Sequence, residues 1–415
     1  MGINYHGFFK DISGIAEASR LNALALQSAG VAISFHNYYA ERRGIRKDEE
    51  LHEFNSLETN YNINLFQINL NALTNFFEVN SNDILKNKYN IAYWAWEFKE
   101  IPDEILPFLA IFDEIWVPSN FCVEAFANVA TIPVIRFLHP IHSSDKNTFS
   151  KEALGIPNDS FNFLTIFDSI STTERKNPFG AIDAFQKAFP SDNLAVKLII
   201  KTFNLERNEA LMKQLNESIL KFENIILINE NYDKSKMESL LQNCDALISL
   251  HRSEGFGLTM AEAMSYGKPV VGTAYSGNID YMNINNSFLV PYDFTELKDD
   301  CGILKKGFVM AEPNVNQAAE LLKSIVSNSE NATKIGLRAQ KDIQANLSIH
   351  TIGRQMKIRL ELITKHFIGS AESKENNEYK NALLENSVLK ERVKYLENTI
   401  YAKIRKKINT FFKKK

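Results

Sequence analysis

Two glutamates eight residues apart, Glu254 and Glu262, flank a Gly-Phe-Gly turn inside the run Ile248–Val271. A short apolar segment ends at Leu250, Gly255 and Gly257 make a tight loop, and a helix is predicted from about Leu258. The first N–H groups of such a helix lack partners within it, and they sit at the positive end of its dipole. Together these make an anion site suited to a diphosphate. Glycine lets the backbone come close to such a ligand. Glu262, about one turn into the helix, is placed to accept hydrogen bonds from a vicinal diol such as a ribose, and Glu254 lies nearer a transferred group. The spacing alone carries little, because five other glutamate pairs share it, Glu41/Glu49 and Glu209/Glu217 among them. What singles out this pair is the strand before it and the apolar Pro269–Gly272 segment after it.

Those residues need a sheet to hold them, and the pattern supplies two. In the first half, apolar runs at Ile3–Phe9, Val31–Phe35, Ile63–Ile68, Ile91–Trp94 and Glu114–Val117 alternate with helical stretches such as Ile15–Ala29, which Gly30 stops. The second half repeats this with Phe163–Phe167, Ala195–Ile200, Ile225–Ile228, Ala246–Leu250, Pro269–Gly272 and Phe288–Val290. Strand–helix alternation implies parallel sheets covered on both faces. The expected fold is α/β: two doubly wound, Rossmann-like domains facing a cleft, where ligands meet the strand C-termini. Domain boundaries are set at 1–145 and 146–335, joined through the turn-rich Leu138–Asp145. Helices follow at 336–368, expected to pack back on the first domain, and then a linker and tail at 369–415.

The run EGFGL…EAM…YGKPVV, with the following Thr273–Asn278, resembles the retaining glycosyltransferases of family 4, which have the GT-B fold. Phe167–Pro178 is similar to that family's basic loop opening the donor domain. Tyr93–Glu97 and Asp113–Ser119 look like the N-terminal half of a bacterial branch, so the resemblance covers about residues 1–365. It implies a nucleotide-sugar donor (a UDP- or GDP-sugar) on the second domain and an acceptor, a glycan or lipid-linked hydroxyl, mainly on the first. By the same resemblance Glu262 would bind the ribose, Glu254 the donor sugar, and the Gly255, Phe256, Gly257 and Leu258 backbone the sugar and phosphates. Lys176 would neutralise the leaving diphosphate. Many members carry an arginine five positions before that lysine. Ser171 stands there in this chain, and whether Arg175 replaces it is left open. Lys201 is a second cation candidate for the donor. Gly14 is read as a loop approaching the donor phosphates or a simple turn, Glu97 as an acceptor contact or a solvated charge, and Asn278 as a donor contact or a turn residue. His251 either touches ligand or braces the loop.

No metal and no cofactor is expected. No Asp-x-Asp pair occurs, and His139 and His142 are read as linker residues, with no ligand spacing around them. Fixed donors and a helix N-terminus can carry the charge on a departing diphosphate instead. Cys122, Cys244 and Cys301 are odd in number and scattered, which argues against a disulfide framework and for a reducing cytosol. The formal net charge of −3 hides an asymmetry, since residues 371–415 hold 12 basic and 6 acidic side chains. An apolar stripe runs through that tail from Leu389 and Val393 to Ile408 and Phe411. It is read as a helix on an anionic membrane surface, placing the protein in the cytoplasm at the inner face of the membrane, as a coiled coil making a homo-oligomer, or as a solvated extension. Nucleic-acid binding is not expected, because the body is acidic. The competing readings are a nucleotide-sugar epimerase of similar shape and a non-catalytic sugar-nucleotide-binding or scaffold protein anchored by the tail.

Overall fold

The computed structural model describes residues 1–38, 60–80, 82–144 and 148–367. The tail from 369 onward, with the membrane and coiled-coil readings attached to it, lies outside the described residues.

The N-terminal sheet contains β1 (Gly2–Gly7), β2 (Ala32–Asn37), β3 (Ile63–Gln67), β4 (Tyr89–Tyr93), β5 (Glu114–Val117) and β6 (Val134–Arg136). All its pairings are parallel, in the order β2-β1-β3-β4-β5-β6. Its helices are α1 (Gly14–Ser28), α2 (Leu73–Val79), α3 (Leu106–Leu109) and α4 (Asn120–Ala127). The strands read as near-continuous apolar runs because both faces are covered. Trp94 stacks edge-on against Phe112 at 5.1 Å on one such face. Polar residues inside the sheet are paired with one another. Asn4, Asn64 and Asn90 pass side-chain hydrogen bonds across β1, β3 and β4 at 2.8 and 2.7 Å.

The C-terminal sheet is built from β7 (Phe161–Ile166), β8 (Val196–Thr202), β9 (Ile225–Asn229), β10 (Ala246–Ser249), β11 (Val270–Thr273) and β12 (Phe288–Val290). It is again parallel, in the order β12-β11-β10-β7-β8-β9. Around it lie α5 (Thr173–Lys176), α6 (Pro178–Ala188), α7 (Glu209–Ile219), α8 (Lys234–Asn243) and α9 (Leu258–Ser265). In each sheet the chain winds outward in both directions from a central pair. That pair is β1/β3 in the first sheet and β7/β10 in the second, and the crevice for a ligand opens at their C-terminal ends.

An antiparallel hairpin, β13 (Tyr292–Glu296) with β14 (Val309–Pro313), was not anticipated. Its alternation is short and its loop long, so no period-2 signal stands out. The hairpin crosses to the other domain. Leu297, Leu304 and Met310 join the core of Trp96, Phe98 and Ile105, and Phe308 meets Phe98 at 5.4 Å.

The chain closes with α10 (Val315–Ser327), α11 (Ser329–Asn346) and α12 (Ile349–His366). α12 returns to the first domain, where Met356, Leu360 and Ile363 are buried and Arg359 pairs with the fully buried Glu114. The forward linker meets the junction between α11 and α12, since the Ile141 N–H donates to Leu347 O at 2.7 Å. Among the described residues, no helix is long and apolar enough to cross a membrane.

Candidate functional site at the interdomain cleft

Both switch points open into one cleft of about 990 Å³. From the first domain it is lined by Ile12, Ser13, Gly14 and Glu17 around the start of α1, by Asn69 after β3, and by Ala95–Glu97 after β4. The second domain contributes the Asp168–Lys176 loop after β7, Asn231–Lys234 after β9, and Glu254–Glu262 after β10.

The loop after β10 is held open by close backbone approaches. Gly257 has φ +85° and caps α9 without any side chain, and the first residues of the helix, Leu258 and Thr259, line the cleft. A Cβ on Gly277 would lie 2.2 Å from Gly255 O, and one on Gly255 would lie 3.1 Å from Trp96 O. Glycine at 277 lets two loops of the second domain pack together, and glycine at 255 lets that loop lie against Trp96 of the first domain. The contact is sealed by Ser119, whose hydroxyl donates to Gly255 O at 2.6 Å.

Glu254 is the centre of a charged cluster. Lys176 Nζ lies 2.5 Å from its Oε1 and Arg175 3.2 Å from its Oε2. Arg175 is buried, donates to Ser253 O at 2.9 Å and to Ser171 Oγ at 3.2 Å, and reaches Glu97 across the cleft at 3.3 Å. Arg175 thus binds a carboxylate from each domain, and the Ser171 hydroxyl helps orient it. Burial alone would raise the Glu254 carboxyl, but the ammonium and guanidinium outweigh it and hold it at about 2. Glu254 therefore stays ionised as a fixed acceptor.

Glu262 faces the cleft further along α9 with the opposite balance. Burial, followed by the nearby Glu17, raises its carboxyl to about 8; Lys234 opposes this and Glu238 adds to it. Glu17 comes from α1 and pairs across the cleft with Lys234 at 3.3 Å. No sequence signal pointed to Glu17, Lys234 or Glu238, because their meeting depends on how the two domains face each other. The hairpin loop at Cys301–Leu304, which lines the cleft next to Thr172, was missed for the same reason.

The remaining expected residues divide. Gly14, Gly255, Phe256, Gly257 and Leu258 line the cleft, and Ser13 caps α1 beside Gly14 by accepting from Ala16 N at 3.2 Å. Asn278 does not line it: it is fully buried, bonded to His251 Nε2 at 3.1 Å and to Thr273 O at 2.9 Å. His251, also fully buried, accordingly braces the loop from behind. Lys201 does not line the cleft either, for it is 1% exposed and its ammonium turns to the backbone carbonyls of Thr202 and Glu230. His139, read as a linker residue, is a cleft residue held against Tyr93 OH at 3.1 Å, and burial lowers it to about 3, which keeps it neutral. Among the described residues no cluster of three or more His, Cys, Asp or Glu side chains is arranged to hold a metal ion.

Residues 155–342 match the family model described as glycosyl transferases group 1. Among curated proteins there was no match. The structure is similar to that of HepE from Anabaena in complex with UDP and glucose (14% identity, 87% of this chain and 100% of that chain, TM-score 0.62). It is similar also to sucrose-phosphate synthase from Thermosynechococcus elongatus (12%, 88% and 99%, TM-score 0.62). A glycosyltransferase from Rickettsia africae gives 15% identity over 88% and 99%, with a TM-score of 0.60. At these identities the likeness establishes the fold: the described chain is a two-domain α/β protein of the GT-B type, and its second domain carries the glycosyl transferases group 1 match.

Proposed function

We propose that the chain is a retaining, metal-independent glycosyltransferase that moves a sugar from a nucleoside-diphosphate sugar to a hydroxyl of a glycan or lipid-linked acceptor. The observation that carries this is the Arg175–Lys176–Glu254 cluster beside the open N-terminus of α9, facing Glu97 across the cleft.

In this reading the bond from the anomeric carbon to the phosphate oxygen breaks with its electron pair going to the diphosphate. Lys176, Arg175 and the α9 N–H groups receive that charge, which they are fixed to do before the reaction starts. Glu254, held ionised, accepts hydrogen bonds from the donor sugar's hydroxyls. The acceptor hydroxyl attacks from the face the diphosphate leaves, so the anomeric configuration is kept, and its proton passes to the departing phosphate oxygen. Glu97 stands where the acceptor hydroxyl must enter and is kept in place by Arg175. Glu262 takes the ribose hydroxyls. The UDP named in the HepE complexes makes uridine nucleotides the first donors to try. A setting in bacterial surface polysaccharide or lipopolysaccharide synthesis, with the basic tail against the inner face of the membrane, is supported by the sequence alone.

The test is a thermal-shift panel of nucleoside diphosphates and their sugars, followed by turnover in EDTA. A ligand that binds the native state at about a hundred times its Kd adds about 2.7 kcal/mol of stability, a shift easily read. At least one nucleotide sugar is expected to raise the melting point, and its turnover is expected to survive EDTA. A panel that shifts nothing overturns the transferase reading. Activity lost in EDTA and restored by Mg²⁺ or Mn²⁺ overturns the metal-free step.

A further inference from the structure

Lys201 ends β8 with its side chain buried, and its ammonium has two oxygen acceptors. One is the carbonyl of Thr202 at 2.9 Å and the other that of Glu230 at 2.5 Å. Thr202 is the last residue of β8 and Glu230 the first after β9, so this one cation ties together the points where both strands hand over to their loops. Those loops present two aromatic rings to the cleft, Phe203 and Tyr232. The same ammonium lies 4.4 Å from the Tyr232 ring centre and 5.9 Å from that of Phe203. A cation at these distances is attracted to the face of a ring, and more strongly when water is excluded. Burial lowers the ammonium to about 8, with the Glu230 carboxylate opposing and Lys236 adding to the fall, so it still carries its charge at neutral pH. Lys236 sits 4.0 Å from the same Tyr232 ring and pairs with the Glu230 carboxylate at 3.0 Å.

The position of these rings says what they receive. In the sheet order they stand one and two strands beyond β7, on the side away from β10. The cationic cluster and the start of α9 occupy the β7/β10 crevice itself. A nucleotide whose diphosphate lies there therefore has its base free to extend toward β8 and β9. Resting on the transferase reading above, we propose that Lys201 is a positioning residue for the donor nucleobase, holding Phe203 and Tyr232 as the aromatic wall against which the base packs. It touches neither phosphate nor sugar. This differs from the sequence expectation, which had Lys201 as a second cation for the donor.

The experiment is calorimetric binding of UDP, GDP, ADP and inorganic pyrophosphate to the full chain and to Lys201→Met and Tyr232→Leu. Both substitutions are expected to weaken the best nucleotide by about tenfold and to leave pyrophosphate within about twofold, since a desolvated cation–π contact is of that size. Donor KM is expected to rise by the same factor with kcat unchanged. Equal loss of pyrophosphate in both variants, or nucleotide binding unchanged in either, overturns the role. If Lys201→Met does not fold, Tyr232→Leu decides, because it removes the ring and leaves the ammonium on its two carbonyls. Wild-type protein that binds no nucleotide sinks the transferase reading itself, whereas nucleotide binding that ignores both substitutions sinks only the part assigned to Lys201.

Discussion

The two ends of the donor side of the cleft use the same residue type in opposite ways. At one end Glu254 sits between Lys176 and Arg175 and is held ionised at about 2. Further along the same loop and helix, Glu262 sits with Glu17 and Glu238 and is raised to about 8. Burial pushes both carboxyls upward, and what differs is the neighbours. The cations at the first end come from a single loop of the same domain, Asp168–Lys176. At the second end the stronger of the two acids, Glu17, comes from α1 of the other domain. A carboxylate beside two cations can only accept hydrogen bonds. One that keeps its proton near neutral pH can also donate, so Glu262 can exchange hydrogen bonds with hydroxyls in both directions whereas Glu254 only accepts them.

The largest expected effect is at the cationic end. Lys176→Met should lower turnover of a nucleotide sugar by about 10²–10³, the cost of removing one fixed donor aimed at developing charge. Single-turnover release of the nucleoside diphosphate measures this directly. The loss should fall on the chemical step, with ground-state donor binding changed much less. A loss below about threefold would mean that charge does not develop where the cluster points, and the two ends would then no longer differ in function.

Much of this arrangement was legible before any coordinates. Both sheets, the strand-loop-helix unit at Glu254 and the start of α9 at Leu258 follow from local apolar periodicity and glycine placement, which act within one segment. Phe288–Val290 has the boundaries the sequence suggested. What local pattern does not contain is contact between segments far apart. Glu17 beside Glu262, Arg175 reaching Glu97, and the β13–β14 hairpin packed on Phe98 all depend on how one domain faces the other. Lys201 shows a finer version of the same limit. A strand-end lysine was visible, but the side to which its ammonium turns depends on the carbonyls of two neighbouring strand ends.

A smaller effect should appear at the acidic end, in stability rather than rate. An unfolded glutamate titrates near 4.3, whereas folded Glu262 keeps its proton to about 8. Between those values the native state binds a proton that the unfolded state has lost, so this group's contribution to stability declines as pH rises through the window. Glu254 has the opposite sign: its contribution is present above about 4.3 and is lost as pH falls toward 2. Glu262→Gln should therefore flatten the fall of the melting temperature across the upper window and raise it above wild type on the alkaline side. An unchanged slope would show that Glu262 is ionised in the native protein, and the contrast with Glu254 would vanish.

The smallest effect separates the minor cause of that raised carboxyl from the two larger ones. Glu238 on α8 adds to it, but less than burial or Glu17 does. Glu238→Gln keeps the Lys234–Glu17 pair in place and removes this minor repulsion. The Glu262 titration, followed by carboxyl-carbon NMR, should then move down by less than about one pH unit, with nucleotide affinity held within about twofold. A midpoint that stays put would assign the whole rise to burial and Glu17, leaving a single acid from the first domain as the partner of Glu262. A midpoint that falls by several units would make α8 the dominant neighbour, and the acidic end would then belong to the second domain alone, as the cationic cluster around Glu254 largely does.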